Sequence, residues 1–173
     1  MSKVTVPSVC RRHERTRYMQ DLMRNQFYKQ RSDFELSAIE RDKTQVMPEG
    51  VSVQTDIPYM NDGDKAHRMD VYRPEGSEST TLPVVINIHG GGLLIGNKEF
   101  NRFFCAKLSR LGYLVFSIEY RLVPDCMVFD QFSDVCNAFK YINAHLGEYN
   151  GDSNHIYGVA DSGGAYLLTY TAA

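Results

Sequence analysis

No stretch of these 173 residues approaches the ~20 consecutive apolar positions of a membrane span, and the longest candidate is broken by the glycines after His89. The N-terminus lacks the apolar core of a secretory signal, because Arg11, Arg12, His13, Glu14, Arg15 and Arg17 interrupt it, which predicts a cytoplasmic protein. A charge excess is missing too. Nineteen basic residues stand against 21 acidic ones, a formal charge of -2, so no field strong enough to hold nucleic acid or an anionic membrane is expected, and the natural partner is a small, near-neutral molecule. The four cysteines, Cys10, Cys105, Cys126 and Cys136, show neither CxxC spacing nor a companion histidine pattern, so neither metal nor cofactor is expected and all four are read as reduced core thiols. Internal repeats and low-complexity tracts are absent as well. What is present is 43% hydrophobic residues, enough for one packed domain.

Tyr18, Met19, Leu22, Met23 and Phe27 recur at helical spacing between Glu14 and Lys29, predicting an amphipathic helix, with a second short helix from Phe34 to Ile39. Pro48-Glu49-Gly50 then marks a boundary. Val51 to Ile57 alternates and pairs with Ala66 to Tyr72 across the turn-rich Asn61-Asp62-Gly63-Asp64, a predicted hairpin. Val84 to Ile88 is a β-branched run of the kind buried on both faces of a parallel sheet. Phe100, Phe103, Phe104, Leu108 and Leu111 form a helical stripe stopped by Gly112, and Tyr113 to Ile118 follows as a strand. Phe132, Val135, Cys136, Phe139, Ile142 and Leu146 form another stripe stopped by Gly147, before a strand from His155 to Val159. Strands alternating with helices predict an α/β fold, a mostly parallel sheet with helices on both faces.

Two features fall at the C-terminal ends of predicted strands, where open α/β sheets place their ligand crevices. His89-Gly90-Gly91-Gly92 carries three glycines whose N–H groups no Cβ shields, so the chain can approach a substrate oxygen and donate to it, as in an oxyanion hole. A plain flexible turn is the bland alternative. A phosphate loop is the sharper one, since Gly91 and Gly96 have the GxxxxG spacing; but Asn97 stands where its lysine belongs, and Ile95 takes the last glycine of a dinucleotide fingerprint.

Ala160-Asp161-Ser162-Gly163-Gly164 lies between a strand and a helical run from Ala165 to Tyr170, the setting of a nucleophile elbow. The serine occupies a tight turn there, so positions two before and two after must be small, and Ala160 and Gly164 are. A helix N-cap at Asp161 or Ser162 is the structural alternative.

Taken together, these segments resemble the hormone-sensitive-lipase-like, or fold-3, esterases of the α/β-hydrolase superfamily. His89 to Gly92 is similar to their HGGG motif, Tyr120-Arg121-Leu122-Val123-Pro124-Asp125 to their YRLxPE segment with Asp for Glu, and Asp161 to Gly164 to their GDSxGG elbow, with Ala160 replacing the usual first glycine. Asp134 stands where that family has an aspartate on the following helix. The resemblance runs from Val51 to Ala173 and implies a carboxylic ester hydrolase, esterase or lipase, acting on a small-molecule ester. It implies Ser162 as nucleophile, N–H donors from Gly91, Gly92 and Gly163, and supporting roles for His89 and Asp161. It also implies a helical cap over residues 1–47 and a partial hydrolase core over 48–173.

In this fold the acid and then the histidine follow the serine, yet Gly163 to Ala173 contains no Asp, Glu or His. His145 and His155 are expected at the surface, too far from Ser162 to serve. The chain alone is therefore expected to be inactive, since losing the histidine of a serine triad costs on the order of 10⁶ in turnover. Non-catalytic ligand binding, or a pseudoenzyme fragment, is the alternative for the same fold. The last strand is expected to present an open edge through which copies self-associate.

Overall fold

In the computed structural model the backbone is described from residue 8 to residue 171 and side chains from residue 14 to residue 171, so Cys10 lies outside the described side chains. The elements are α1 (Ser8–Asp42), β1 (Val51–Pro58), β2 (Arg68–Pro74), β3 (Leu82–Ile88), α2 (Arg102–Arg110), β4 (Leu114–Ile118), α3 (Val128–His145), β5 (Gly151–Ala160) and α4 (Ser162–Thr171). Short 3-10 turns precede α2 and follow α3.

The five strands lie in the order β1-β2-β4-β3-β5. The expected parallel arrangement is its working half: β3 runs parallel to both β4 and β5. β1–β2 and β2–β4 are antiparallel, which makes the whole sheet mixed. Alternation along the strands divides the core. Met69, Val71, Val84, Ile86, Ile88, Leu114, Phe116 and Ile118 face one side with Val135, Ala138 and Ile142 of α3 and Leu167 of α4. Tyr72, Val85 and Val115 face the other with Cys105 and Ala106 of α2. Helices therefore cover both faces, and each fully buried Ile, Leu or Phe contributes about 1.5–3 kcal/mol by leaving water.

Helix stops follow local chemistry. Gly112, at φ +98°, closes α2 with Gly112 N–H donating to Ser109 O and Tyr113 N–H to Leu108 O, the paired bonds of a Schellman turn. Phe104 and Leu111, expected inside, are exposed. Gly147 does not stop α3; the chain tightens into a 3-10 turn and the left-handed residue is Asn150, which tolerates φ 51° better than other side chains do. Of the cysteines, Cys105 is buried whereas Cys126 and Cys136 are only half-buried, and burial pushes the Cys105 thiol up to about 12.

At the N-terminus, the two expected helices are one. No glycine or proline occurs between Ser8 and Asp42, so nothing interrupts the hydrogen-bond ladder. The stripe of Tyr18, Met19, Leu22 and Met23 stays exposed rather than packed. What holds α1 lies further along: Phe34 tilts against Phe100 at 5.0 Å, Arg41 lies 4.7 Å over the same ring, and Arg102 pairs with Asp42 at 3.0 Å. Among the described residues no helix is long and apolar enough to cross a membrane.

Candidate active site

Strand register builds the site. Ile88 of β3 pairs with Ile118 of β4 on one side and with Ala160 of β5 on the other. The next residues, His89, Glu119 and Asp161, therefore leave the sheet side by side at its carboxyl edge. α2 and α3 lie on opposite faces, so connections diverge at β3, the switch point where open sheets form their crevices.

His89 is fully buried. Its Nδ1 donates to Gly90 O at 2.8 Å, its Nε2 sits 3.0 Å from Glu119 Oε1, and its ring stacks on Tyr120 at 4.3 Å. Tyr120 in turn donates its hydroxyl to His89 O at 2.7 Å, and burial pushes that phenol well above its ordinary range, keeping it a donor. Glu119 Oε2 accepts from Lys98 N at 2.9 Å, so one carboxylate holds both ends of the loop from His89 to Lys98. With both ring nitrogens engaged, His89 is a strut.

The glycines work by close approach. A Cβ on Gly90 would lie 2.2 Å from Asp161 Oδ2, and one on Gly91 would lie 1.9 Å from Ile95 O. Gly91 O accepts from Leu94 N and Ile95 N, both at 3.1 Å. Because a trans peptide sets N–H opposite the preceding C=O, the Gly91 N–H points away from the His89 ring, and the Gly92 N–H away from the turn at Leu94. Gly92 and Leu93 follow with φ +61° and +68°.

Across from this loop, Ser162 adopts φ +46°, a left-handed conformation that a serine holds only under constraint. Its constraint is the packing around it. Asp161 O caps α4 by accepting from Gly164 N (2.9 Å) and Ala165 N (3.3 Å), while Asp161 Oδ1 accepts from Gly90 N and Asn101 Nδ2, both at 3.1 Å. Asp161 thus links the elbow to the glycine loop. A Cβ on Gly163 would stand 3.0 Å from Leu93 N and 3.2 Å from Gly92 N, so the residue after the serine abuts the two loop amides. Amides arranged round a serine in this way can stabilise negative charge developing on an oxygen bound there.

Each described histidine is engaged elsewhere than at Ser162. His67 contacts Asp62 at 2.6 Å, His145 donates to Tyr141 O at 2.8 Å, and His155, exposed within β5, lies 2.7 Å from Asp152. Ser162 is exposed. A cleft of about 460 Å³ between α1, Lys65 and Arg121 is separate from it and does not reach the serine. Among the described residues no group of three or more His, Cys, Asp or Glu could hold a metal ion.

A glycine loop and a left-handed serine turn sharing one sheet edge are the marks of an α/β-hydrolase, and the family model described as BD-FAE matches residues 69–173. The chain belongs to the BD-FAE family. It is similar to a probable isoprenylcysteine alpha-carbonyl methylesterase of Arabidopsis thaliana, 31% identical over 61% of this chain and 22% of that protein. It is also similar to the probable carboxylic ester hydrolase LipM of Mycobacterium tuberculosis, 32% identical over 66% of this chain and 28% of that one. Among solved structures, esterase B of Lactobacillus rhamnosis superposes with a TM-score of 0.85, 26% identical, covering 90% of this chain and 49% of that one. This BD-FAE chain therefore spans about a quarter of those curated relatives and about half of that esterase.

His89, Gly92, Asp161, Ser162 and Gly163 are brought together, and Gly91 forms the tight base of the loop. Sequence reasoning missed Leu93, Glu119, Asn101 and Gln131. Gln131 Nε2 donates to Leu93 O (2.9 Å) and Arg121 O (2.8 Å) from inside α3. Its signal was available as a polar residue at helical spacing from the apolar Val135, Ala138 and Ile142 of the same helix. Glu119 stands directly before the Tyr120-Arg121-Leu122 segment, but only the strand register reveals its partner.

Proposed function

We propose that this chain carries the nucleophile and the oxyanion-binding half of a carboxylic ester hydrolase acting on small esters. The observation that carries the reading is the meeting of Gly163 with the amides of Gly92 and Leu93 beside the left-handed Ser162. The Ser162 hydroxyl attacks the acyl carbon, and N–H groups of Gly91, Gly92 and Gly163, joined by Leu93, receive the oxyanion. His89 and Asp161 position these amides and take no proton. The general base and its acid partner come from outside residues 163–173, which contain no Asp, Glu or His. Residues 1–47 serve as a cap, a role supported by the contacts of α1 with Phe100 and Arg102 beside the loop.

The test is p-nitrophenyl acetate turnover by a protein that joins this chain to a downstream acid and histidine, before and after Ser162→Ala. A loss on the order of 10⁴–10⁶ is expected; unchanged turnover would overturn the reading. The 173-residue chain alone should retain no more than a residual on the order of 10³ over water.

The same chain is proposed to self-associate. β5 pairs only with β3 among the described strands, and its Ile156 and Tyr157 are exposed, with neither proline nor lysine to blunt the edge. Sedimentation velocity should show dimers or larger species that Ile156→Lys reduces. A monodisperse monomer would refute this.

A further inference from the structure

From α1, the Arg31 side chain hydrogen-bonds the glycine loop. Its guanidinium spends three N–H groups on three separate points: Nε donates to Leu94 O at 3.1 Å, Nη2 to Val123 O at 2.9 Å, and Nη1 to Asp125 Oδ2 at 2.9 Å. Leu94 belongs to the loop after β3, whereas Val123 and Asp125 belong to the segment after β4. Those two segments already touch through Val123 N–H donating to Leu93 O at 3.0 Å, and Arg31 fastens the pair from the helix side.

The guanidinium is itself held in place. Only 19% of the Arg31 side chain is exposed, and it lies 5.5 Å over the Tyr28 ring, whose hydroxyl donates to the other oxygen of Asp125. Burial alone would raise the Asp125 carboxyl, but the Tyr28 hydroxyl and the Arg31 charge outweigh it and hold the group below the usual carboxylate range. A planar fork of fixed donors suits this task in a way a lysine ammonium does not.

Leu94 lies two residues past Gly92 and one past Leu93, so the orientation of its carbonyl is coupled to the peptides that carry the Gly92 and Leu93 amides. Leu93 holds φ +68°, a conformation that leucine leaves unless something retains it. Gln131 retains it from the α3 side through Leu93 O, and Arg31 from the α1 side through Leu94 O. Docking of α1 does not depend on Arg31, because Phe34, Arg41 and Asp42 anchor the helix further along.

We propose that Arg31 is a positioning residue for the oxyanion loop: it ties helix α1 to Leu94 and thereby sets where the amides of Gly92 and Leu93 point. The proposal rests on the esterase reading for its catalytic meaning, and the cap then acts on chemistry as well as on access.

Hydrogen exchange on the 173-residue chain tests the positioning without any need for turnover. In Arg31→Met, amides of residues 90–97 should exchange about tenfold faster or more, the loss of charged hydrogen bonds, while β3, β4 and the Phe34 end of α1 keep their wild-type rates. Arg31→Lys should restore part of the protection. Joined to the downstream acid and histidine, Arg31→Met should lower kcat by about 10- to 100-fold with KM for p-nitrophenyl acetate nearly unchanged, as expected of misplaced donors. Unchanged exchange over residues 90–97, or acceleration spread evenly across α1 and the sheet, would overturn the proposal. Local acceleration combined with a turnover that Ser162→Ala leaves intact would uphold the positioning and reject the esterase reading.

Discussion

Alanine at position 164 is expected to cost about 3 kcal/mol of stability, the upper end of what overpacking does, and to abolish any activity that depends on the elbow. The added methyl would stand 2.4 Å from Ile88 O, 2.5 Å from His89 O and 2.9 Å from His89 C. All three are backbone atoms at or just past the end of β3, a strand paired on both sides, so no flexible side chain can give way. Relief must come from moving α4 off the sheet, and α4 starts at Ser162. Gly147→Ala is the control: nothing lies within 4 Å of its Cβ position and its φ is not left-handed, so it should be neutral or slightly stabilising. Urea midpoints of the two variants decide the matter. Equal midpoints would mean that the close approach of Gly164 to β3 is not a constraint.

The second large effect belongs to Asp134. This carboxylate is buried on α3 and accepts three bonds from Arg121, from the backbone N at 3.1 Å, Nε at 2.9 Å and Nη2 at 2.7 Å. His67 Nε2, also buried, lies 3.1 Å from Asp134 Oδ1. The hydrogen bonds that Arg121 donates to Asp134 raise its guanidinium above its ordinary range. Asp134→Ala removes the acceptor of a part-buried backbone N–H and leaves the guanidinium only the more distant Asp130 at 4.0 Å; breaking such a pair costs about 3–5 kcal/mol, and the lower figure applies because Arg121 keeps about a third of its side chain in water. Asp134→Asn, which keeps one acceptor oxygen, should lose about half as much. The damage is also expected to travel, since Arg121 O and Leu93 O share the Gln131 amide. Thermal melts together with hydrogen exchange over residues 90–97 would show both parts; a melting temperature unmoved by Asp134→Ala would refute the account.

Most of the fold was legible because its signals are local. Alternation in β1, the β-branched run of β3 and the glycine after α2 each reflect a preference of the backbone at that place. The turn at Ser162, Gly163 and Gly164 was legible for a similar reason, since a tight strand-to-helix connection admits few residue types. What escaped depends on distant partners. The stripe of α1 was misread because an exposed apolar stripe and a buried one have the same spacing, and only packing tells Tyr18 from Phe34. Gly147 was expected to stop α3 because glycine is the commoner left-handed residue, yet Asn150 takes the turn. Leu93 carries no sign in sequence of its positive φ, which Gln131 and its neighbours impose from α3. Glu119 and Arg31 become functional candidates only once register and docking are known, for neither belongs to a motif that names its partner.

Ile88, Ile118 and Ala160 are level across three parallel strands. It follows that spelling alone does not make this site. Inserting a single residue into β3 ahead of Ile88 would leave every motif intact, yet the residue that had faced one side of the sheet would face the other. The imidazole of His89 would leave Glu119, and the loop would set out from the wrong side of the Asp161 carboxylate. The heritable unit here is the phase of the strand as much as the letters that follow it, so deletions and insertions inside β3, β4 or β5 should be far less tolerated than substitutions at the same positions.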